Sequence, residues 1–380
     1  MMRSLPGLLF IVNSLEMGGA EKQVVTLLNQ LDNSRFRLHL AYLKRGAPLL
    51  PQLDSTRLEE LVCCNVTRGV EPHGIRQLAA LIQARRIDAL VCTNTYSMLY
   101  GYLARSRARP KPKLATIFHT TLLRGYKEKA QMLLYKRLFR RNDLLIYVSE
   151  NQRDLWHAWG LRATSEAIVH NGIDVDYFSA PQQDFRSRLG LGTDDYVIGL
   201  CSGLRPEKAH GDLLHAAALL RSRGLPVKVL LIGDGPERSR IENTADALGL
   251  REHVTITGVQ HDVRPYIACC DVMTLVSHTE TFSLAALESM AAGKPLVMSD
   301  IGGASEQVVH GRTGLLFAPS DIGALAEQLQ ALRSDTLRSQ MGAAAARRVR
   351  ELFTLSTMTN GFTAQMDRLL AVSAHSAARS

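Results

Sequence analysis

The chain has 380 residues, too many for one typical hydrophobic core, and with 46% hydrophobic and 21% charged residues its composition is that of an ordinary globular protein. No apolar run approaches the roughly 18 to 20 residues that a membrane-spanning helix needs. The formal charge of +9 belongs wholly to the first half, where residues 1–180 hold 25 Lys/Arg against 15 Asp/Glu while residues 181–380 hold 20 against 21.

The first apolar run, 8–12, is too short for a signal-peptide core, lacks a good cleavage site and runs into a Gly-rich turn. It reads as strand one. Strand-like runs follow at 38–43, 89–93, 114–118 and 144–148, with helical patterns such as 21–31 and 75–84 between them. Such alternation predicts a parallel, doubly wound sheet. Met17-Gly18-Gly19-Ala20-Glu21 follows the first strand and opens a helix, so backbone amides there can approach a phosphate or sugar closely. The third Gly of G-x-G-x-x-G is missing, and a plain tight turn stays open as a reading. His119 ends the fifth strand; a lone His is more often structural than functional. Residues 122–142 carry Arg124, Lys127, Lys129, Lys136, Arg137, Arg140 and Arg141 against Glu128 alone, interleaved with apolar residues. Two readings stay open, a basic amphipathic helix on an anionic membrane surface and a solvated helix whose apolar stripe faces the core. No recognised motif or aromatic repeat accompanies the charge, so no nucleic-acid partner is expected.

The turn-rich stretch from 171 to 183 reads as a joint, and the alternation then begins again with strands at 197–201, 227–232, 254–257, 272–276 and 296–299 and helices near 209–222 and 237–247. Ser202-Gly203-Leu204-Arg205-Pro206-Glu207-Lys208 follows the first of these strands, and Arg205 and Lys208 at a strand's carboxyl end can clamp a diphosphate. Gly233-Asp234-Gly235-Pro236 is a similar loop, read equally well as a site wall or an ordinary turn. The loop after the 254–257 strand extends that wall. Glu280-Thr281-Phe282-Ser283-Leu284 then leads into a helix carrying Glu288, which places two carboxylates on either side of a strand-to-helix turn. The amides of Phe282, Ser283 and Leu284 are expected to be free donors at that helix start, favouring an anionic phosphate, with Glu280 and Glu288 accepting from hydroxyls on either side. In isolation the pair reads as well as a charge near a helix start and a solvated face residue. A last helix is expected over 356–372 and a loose tail over 373–380. Six cysteines, at 63, 64, 92, 201, 269 and 270, form no Cys-x-x-Cys, which argues against zinc or disulfides and for a reducing cytoplasm.

The stretch 277–317, with Gly302-Gly303-Ala304-Ser305-Glu306 and Gly311-Arg312-Thr313-Gly314 after the Glu280–Glu288 turn, closely resembles the donor-site signature of the retaining family 4 glycosyltransferases of GT-B architecture. The resemblance implies two Rossmann-like doubly wound parallel sheets facing a central cleft. Residues 1–172 would form the acceptor domain, 173–355 the nucleotide-sugar domain, and the last helix would return to the first. It implies that Glu280 contacts the donor sugar, Glu288 the ribose, and the turn of Thr281, Phe282, Ser283 and Leu284 the diphosphate. Gly203, Arg205 and Lys208 match the family's cationic segment, Gly233 and Gly235 the nucleotide wall, and Gly18 and Gly19 a turn that closes over the donor. His119 matches a His near the sugar and the acceptor hydroxyl. The family often has Gly where this chain has Thr281. The implied reaction moves a sugar from a nucleotide-diphosphate donor to the hydroxyl of a lipid-linked or saccharide acceptor, in cell-envelope polysaccharide, lipopolysaccharide or glycolipid synthesis. No cofactor is implied, and no Asp-x-Asp stands near the donor site, so no metal is expected. A cytoplasmic enzyme, peripheral on the membrane, is the expectation; a silent scaffold of the same fold and a sugar-nucleotide epimerase are the alternatives.

Overall fold

The computed structural model describes residues 5–121 and 125–377. It divides into two compact units, one made of the chain up to Gly172 together with the part from Leu355 onward, the other of Ile173–Thr354. The strands of the first are β1 (Gly7–Val12), β2 (Arg37–Tyr42), β3 (Leu58–Cys63), β4 (Ile87–Thr93), β5 (Lys113–Phe118), β6 (Leu144–Tyr147) and β7 (Glu166–Ile168). Those of the second are β8 (Tyr196–Cys201), β9 (Val227–Ile232), β10 (Val254–Ile256), β11 (Val272–Leu275), β12 (Leu296–Ser299) and β13 (Leu315–Phe317).

The first sheet has the order β3-β2-β1-β4-β5-β6-β7 and the second β10-β9-β8-β11-β12-β13, and all paired neighbours run parallel. Helices between consecutive strands cover both faces of such a sheet, so its inner strands are apolar on both sides rather than alternating. Leu8 to Val12 of β1 show no exposed surface, and Val197 and Ile198 of β8 are equally closed off. Three strands the sequence did not announce, β3, β7 and β13, are all edge strands. Their residues are mostly half-buried, so they lack the continuous apolar run that marks an inner strand.

In the first unit the helix Leu355–Ala377 packs on the helix Gly19–Gln30, and Phe362 meets Phe10 with ring centroids 5.8 Å apart. The helix runs to Ala377 instead of giving way to a loose tail at 373. Residues 373–377 contain no Gly or Pro to stop it. The basic segment is helical over Tyr126–Phe139, with Met132 and Phe139 buried and Leu133 62% exposed. Arg124 and the side chains of Lys127, Glu128 and Lys129 lie outside the described residues. Among the described residues no helix is long and apolar enough to cross a membrane.

In the second unit the helix Leu284–Ala291 packs against the helix Asp335–Leu352, and Gly293, in the left-handed region at φ +70°, ends the former. Contact is closest at Gly342, where an added Cβ would fall 2.0 Å from the Gly293 carbonyl oxygen. Backbone cannot yield there as a flexible side chain would. Gly342→Ala is therefore expected to destabilise the protein by about 1–3 kcal/mol, the usual cost of overpacking. Urea denaturation checks this, and an unchanged midpoint would refute the close contact.

Candidate active site

The strand order of the second sheet reverses between β8 and β11, so the loops leaving these neighbours turn to opposite sides and open a crevice at their carboxyl ends. The β8 loop is knitted to the β9 loop by backbone alone: Ser202 N donates to Ile232 O, Leu204 N to Asp234 O and Glu237 N to Leu204 O, each at 3.0 Å. Such closeness explains two of the expected glycines. A Cβ at Gly233, which sits at φ +144°, would lie 2.0 Å from Ser202 O, and one at Gly235 would lie 2.4 Å from Leu204 O. Gly203 has no comparable conflict, its nearest neighbour being Arg205 Nε at 3.6 Å. Gly258, after β10, bridges to Gly233 and brings the third loop to the same wall.

Arg205 precedes a short turn, Pro206–Lys208, and is exposed; its guanidinium has no acceptor among the described residues. Lys208 closes that turn, with its amide donating to Arg205 O at 3.0 Å. From it Lys208 Nζ reaches Glu280 Oε2 at 2.6 Å, and the two side chains are only 22% and 15% exposed. The loop that carries Glu280 is fixed from two directions. His278 N donates to Glu207 O at 2.8 Å, and Gly303 N donates to Thr281 O at 2.9 Å. Gly302, at φ +54°, admits the Glu280 carbonyl where a Cβ would stand 2.0 Å from it. Below the turn, Ser202 Oγ lies 3.1 Å from Nε2 of the buried His210. Burial, with the Lys208 charge adding, pulls the His210 pKa down to about 4.

The helix start differs from expectation in one respect. Ser283 is its N-cap, with Oγ accepting from Ala286 N, but its own amide is not a free donor. It donates to Gln307 Oε1 at 3.0 Å, and Gln307 Nε2 returns a bond to Ser283 O at 2.8 Å. Open donors move one residue onward, since the amides of the half-buried Leu284 and Ala285 have no acceptor among the described residues. Phe282 is an anchor in the core, its ring 5.4 Å from that of Phe353, while Thr281 stays half-buried at the crevice. Glu288, one turn into the helix, is 5% exposed. Gln307 was invisible in the sequence because a glutamine in a four-residue helix carries no pattern; Ala285 was missed because its contribution is backbone.

Gly18, Gly19 and His119 lie in the other unit. Gly18 caps the helix Gly19–Gln30 at φ −122°, which any residue adopts, and a Cβ there would meet only the tip of the Glu21 side chain. A Cβ at Gly19 would meet nothing within 4 Å. Neither glycine is demanded by the chain's own folding. His119 follows β5, and its amide is held by Asn94 Oδ1 at 2.8 Å, Asn94 itself being left-handed at φ 63°. Gln152 Nε2 grips Phe118 O and Trp156 Nε1 grips Thr120 O, both at 2.7 Å, so the strand end is braced on both sides of the imidazole. Burial lowers the His119 pKa to about 4. The ring lines a small recess of about 30 Å³ with Gln23, Val148 and His170.

The family profile described as "Glycosyl transferases group 1" matches residues 181–348, and that described as "Glycosyltransferase Family 4" matches residues 17–177. N-acetyl-alpha-D-glucosaminyl L-malate synthase of Bacillus anthracis is 29% identical over 73% of this chain and 74% of its own length. The putative glycosyltransferase EpsD of Bacillus subtilis is 28% identical over 77% of this chain and 80% of its own. A crystal structure of Anabaena HepE in complex with UDP superposes with a TM-score of 0.83 at 22% identity, covering 95% of this chain and all of that one.

Two measurements test this geometry. Gln307→Leu leaves the buried Ser283 amide without an acceptor and should cost about 1–3 kcal/mol of stability, read by urea denaturation; no loss would show that the paired contact is not made. The second concerns pH. His210 and His119 titrate near 6.5 when unfolded and near 4 when folded, so the unfolded chain binds more protons between these values. Stability therefore rises with pH across that window and is lost as pH falls through it. His210→Gln should flatten the change in unfolding free energy between about pH 5 and pH 7, and an undiminished slope would remove His210 from the account.

Proposed function

The chain belongs to the family 4, group 1 glycosyltransferases of GT-B fold, and from that premise we propose that it moves a sugar, with retained anomeric configuration and without a metal ion, from a nucleotide-diphosphate sugar to an acceptor hydroxyl. One observation carries the reading. In the second unit Lys208, together with Arg205 and two helix amides that have no acceptor among the described residues, stands at the strand switch beside two shielded carboxylates, Glu280 and Glu288.

This set suits a diphosphate flanked by hydroxyls. The amides of Leu284 and Ala285 and the helix dipole favour an anion, and Arg205 and Lys208 supply full positive charge for the charge that grows on the leaving diphosphate. Lys208 and the helix amides are held in position by the fold itself, the condition under which electrostatic stabilisation is effective. Glu280 can accept from a sugar hydroxyl and Glu288 from the ribose. Departure of the diphosphate and attack from the same face require no protein nucleophile in this scheme. Gly19, which packing leaves free to be any small residue, is assigned to close approach of the donor. Gly18 is assigned with it, and His119 to the sugar.

Hexose transfer in the building of envelope polysaccharide or glycolipid is the proposed setting, with a negatively charged acceptor. The excess of basic residues over 1–180 supports an anionic group there, lipid-linked or soluble. The malate in the name of the Bacillus anthracis relative is in keeping with such an acceptor.

The experiment is a panel of UDP-, GDP- and ADP-sugars offered to the wild type and to Glu288→Ala, with binding and slow hydrolysis followed by mass spectrometry. One donor selected by the wild type and lost in the variant is the expected result; no donor bound by either would overturn the proposal. With that donor, Arg205→Ala should lower turnover about 10²-fold, the usual effect of removing one charge-stabilising contact. Unchanged turnover would defeat the role given to Arg205.

A further inference from the structure

On the second unit, apart from the crevice, Arg312, Arg347 and Arg348 line one recess of about 250 Å³ together with Thr313 and a single carboxylate, Glu351. Arg312 stands on a turn that is fixed locally, with Arg312 N and Thr313 N donating to Val309 O and Val309 N donating to Thr313 Oγ1 at 2.8 Å. Arg347 and Arg348 come from the helix Asp335–Leu352. The usual reading of arginines on a helix is a solvated face, and two observations speak against it here.

The first is pairing. Elsewhere on the same helix Arg338 meets Asp335 at 2.5 Å and Arg350 meets Asp176 at 2.7 Å. The side chains of Arg312 and Arg347 have no acceptor among the described residues. The second is shape. Three arginines line the same concavity, Arg312 and Arg347 exposed and Arg348 half-buried, so like charges are gathered at one place. Arg348 is half-buried and spent on backbone, with Nε donating to Gln307 O and a terminal nitrogen to Glu306 O, both at 2.8 Å. Burial works against its charge, and Glu351 only partly opposes this. The recess therefore holds more positive charge than the chain itself answers.

We propose that this recess is a second anion site, which takes a phosphate-bearing ligand bridged by the guanidinium groups of Arg312 and Arg347. Guanidinium forks match phosphate oxygens two at a time, which a lysine pair would not do. The ligand needs at least two negative charges to outweigh Glu351 and the three cations' mutual repulsion, so a diphosphate or a phosphate monoester fits better than a simple carboxylate. Arg348, which borders the recess, also holds the carbonyl of Gln307, and the Gln307 side chain holds Ser283.

Inorganic pyrophosphate titrated into the full-length protein by calorimetry is the test. A binding event should survive Arg205→Ala/Lys208→Ala and weaken about tenfold or more in Arg312→Ala/Arg347→Ala. Vesicles containing phosphatidic acid form a parallel arm. Uptake of either probe that depends on Arg312 and Arg347 supports the site and tells a soluble phosphate from a lipid headgroup. Phenylglyoxal labelling of the wild type, mapped by peptide, needs no variant, and pyrophosphate should slow modification of Arg312 and Arg347. Equal binding by the Arg312/Arg347 variant, no protection of the two arginines, or binding lost only with Arg205 and Lys208 would each overturn the proposal.

Discussion

Everything that can touch a ligand in the second unit depends on one constraint, the reversal of strand order between β8 and β11. Parallel neighbours whose connections leave in opposite directions must part at their carboxyl ends, and the gap cannot be filled by either crossover. What the chain adds is closeness. Gly233 and Gly235 let the β9 loop touch the β8 loop, Gly302 lets a later loop touch Glu280, and the resulting crevice is walled by backbone that side chains do not hold apart. Backbone contacts of this kind have few soft degrees of freedom, so Lys208 and Glu280 meet at a fixed place.

Lys208 and Glu280 are paired within the fold. Removing two charges from water costs about as much as their attraction returns, so the pair is poor evidence of stability. Its consequence lies in position. Lys208 is thereby held at the crevice with the Glu280 carboxylate against it. Arg205 differs in being exposed and without an acceptor among the described residues, so its side chain keeps the freedom that a partner would remove.

The sequence made the inner strands legible because burial on both faces writes a run of Leu, Ile and Val, and nearly every such run became a strand. β3, with Leu-Glu-Glu-Leu-Val-Cys, β7 and β13 escaped because an edge strand is half-exposed and its composition is that of a loop. At the site, glycines and charges could be read one by one, since each has a residue type tied to a task. Pairings could not. Nothing near Ser283 in the sequence announces Gln307, and the bond between them shifts the open donors from Ser283 to Leu284 and Ala285. Asn94, which fixes the amide of His119, left a faint signal, an asparagine directly after a strand where a left-handed residue was needed.

The second unit is a single uninterrupted stretch whose two ends are joined to each other. Ile173 N donates to Phe353 O at 3.0 Å, and Ile173 bridges to Thr354. The first unit is not continuous, and its opening strand packs through Phe10 on Phe362 near the end of the chain. On the ribosome, therefore, the inserted unit has all of its residues before the unit that began first has received its last helix. The apolar packing that Phe362 makes on Phe10 is thus completed only after nearly two hundred further residues have been made.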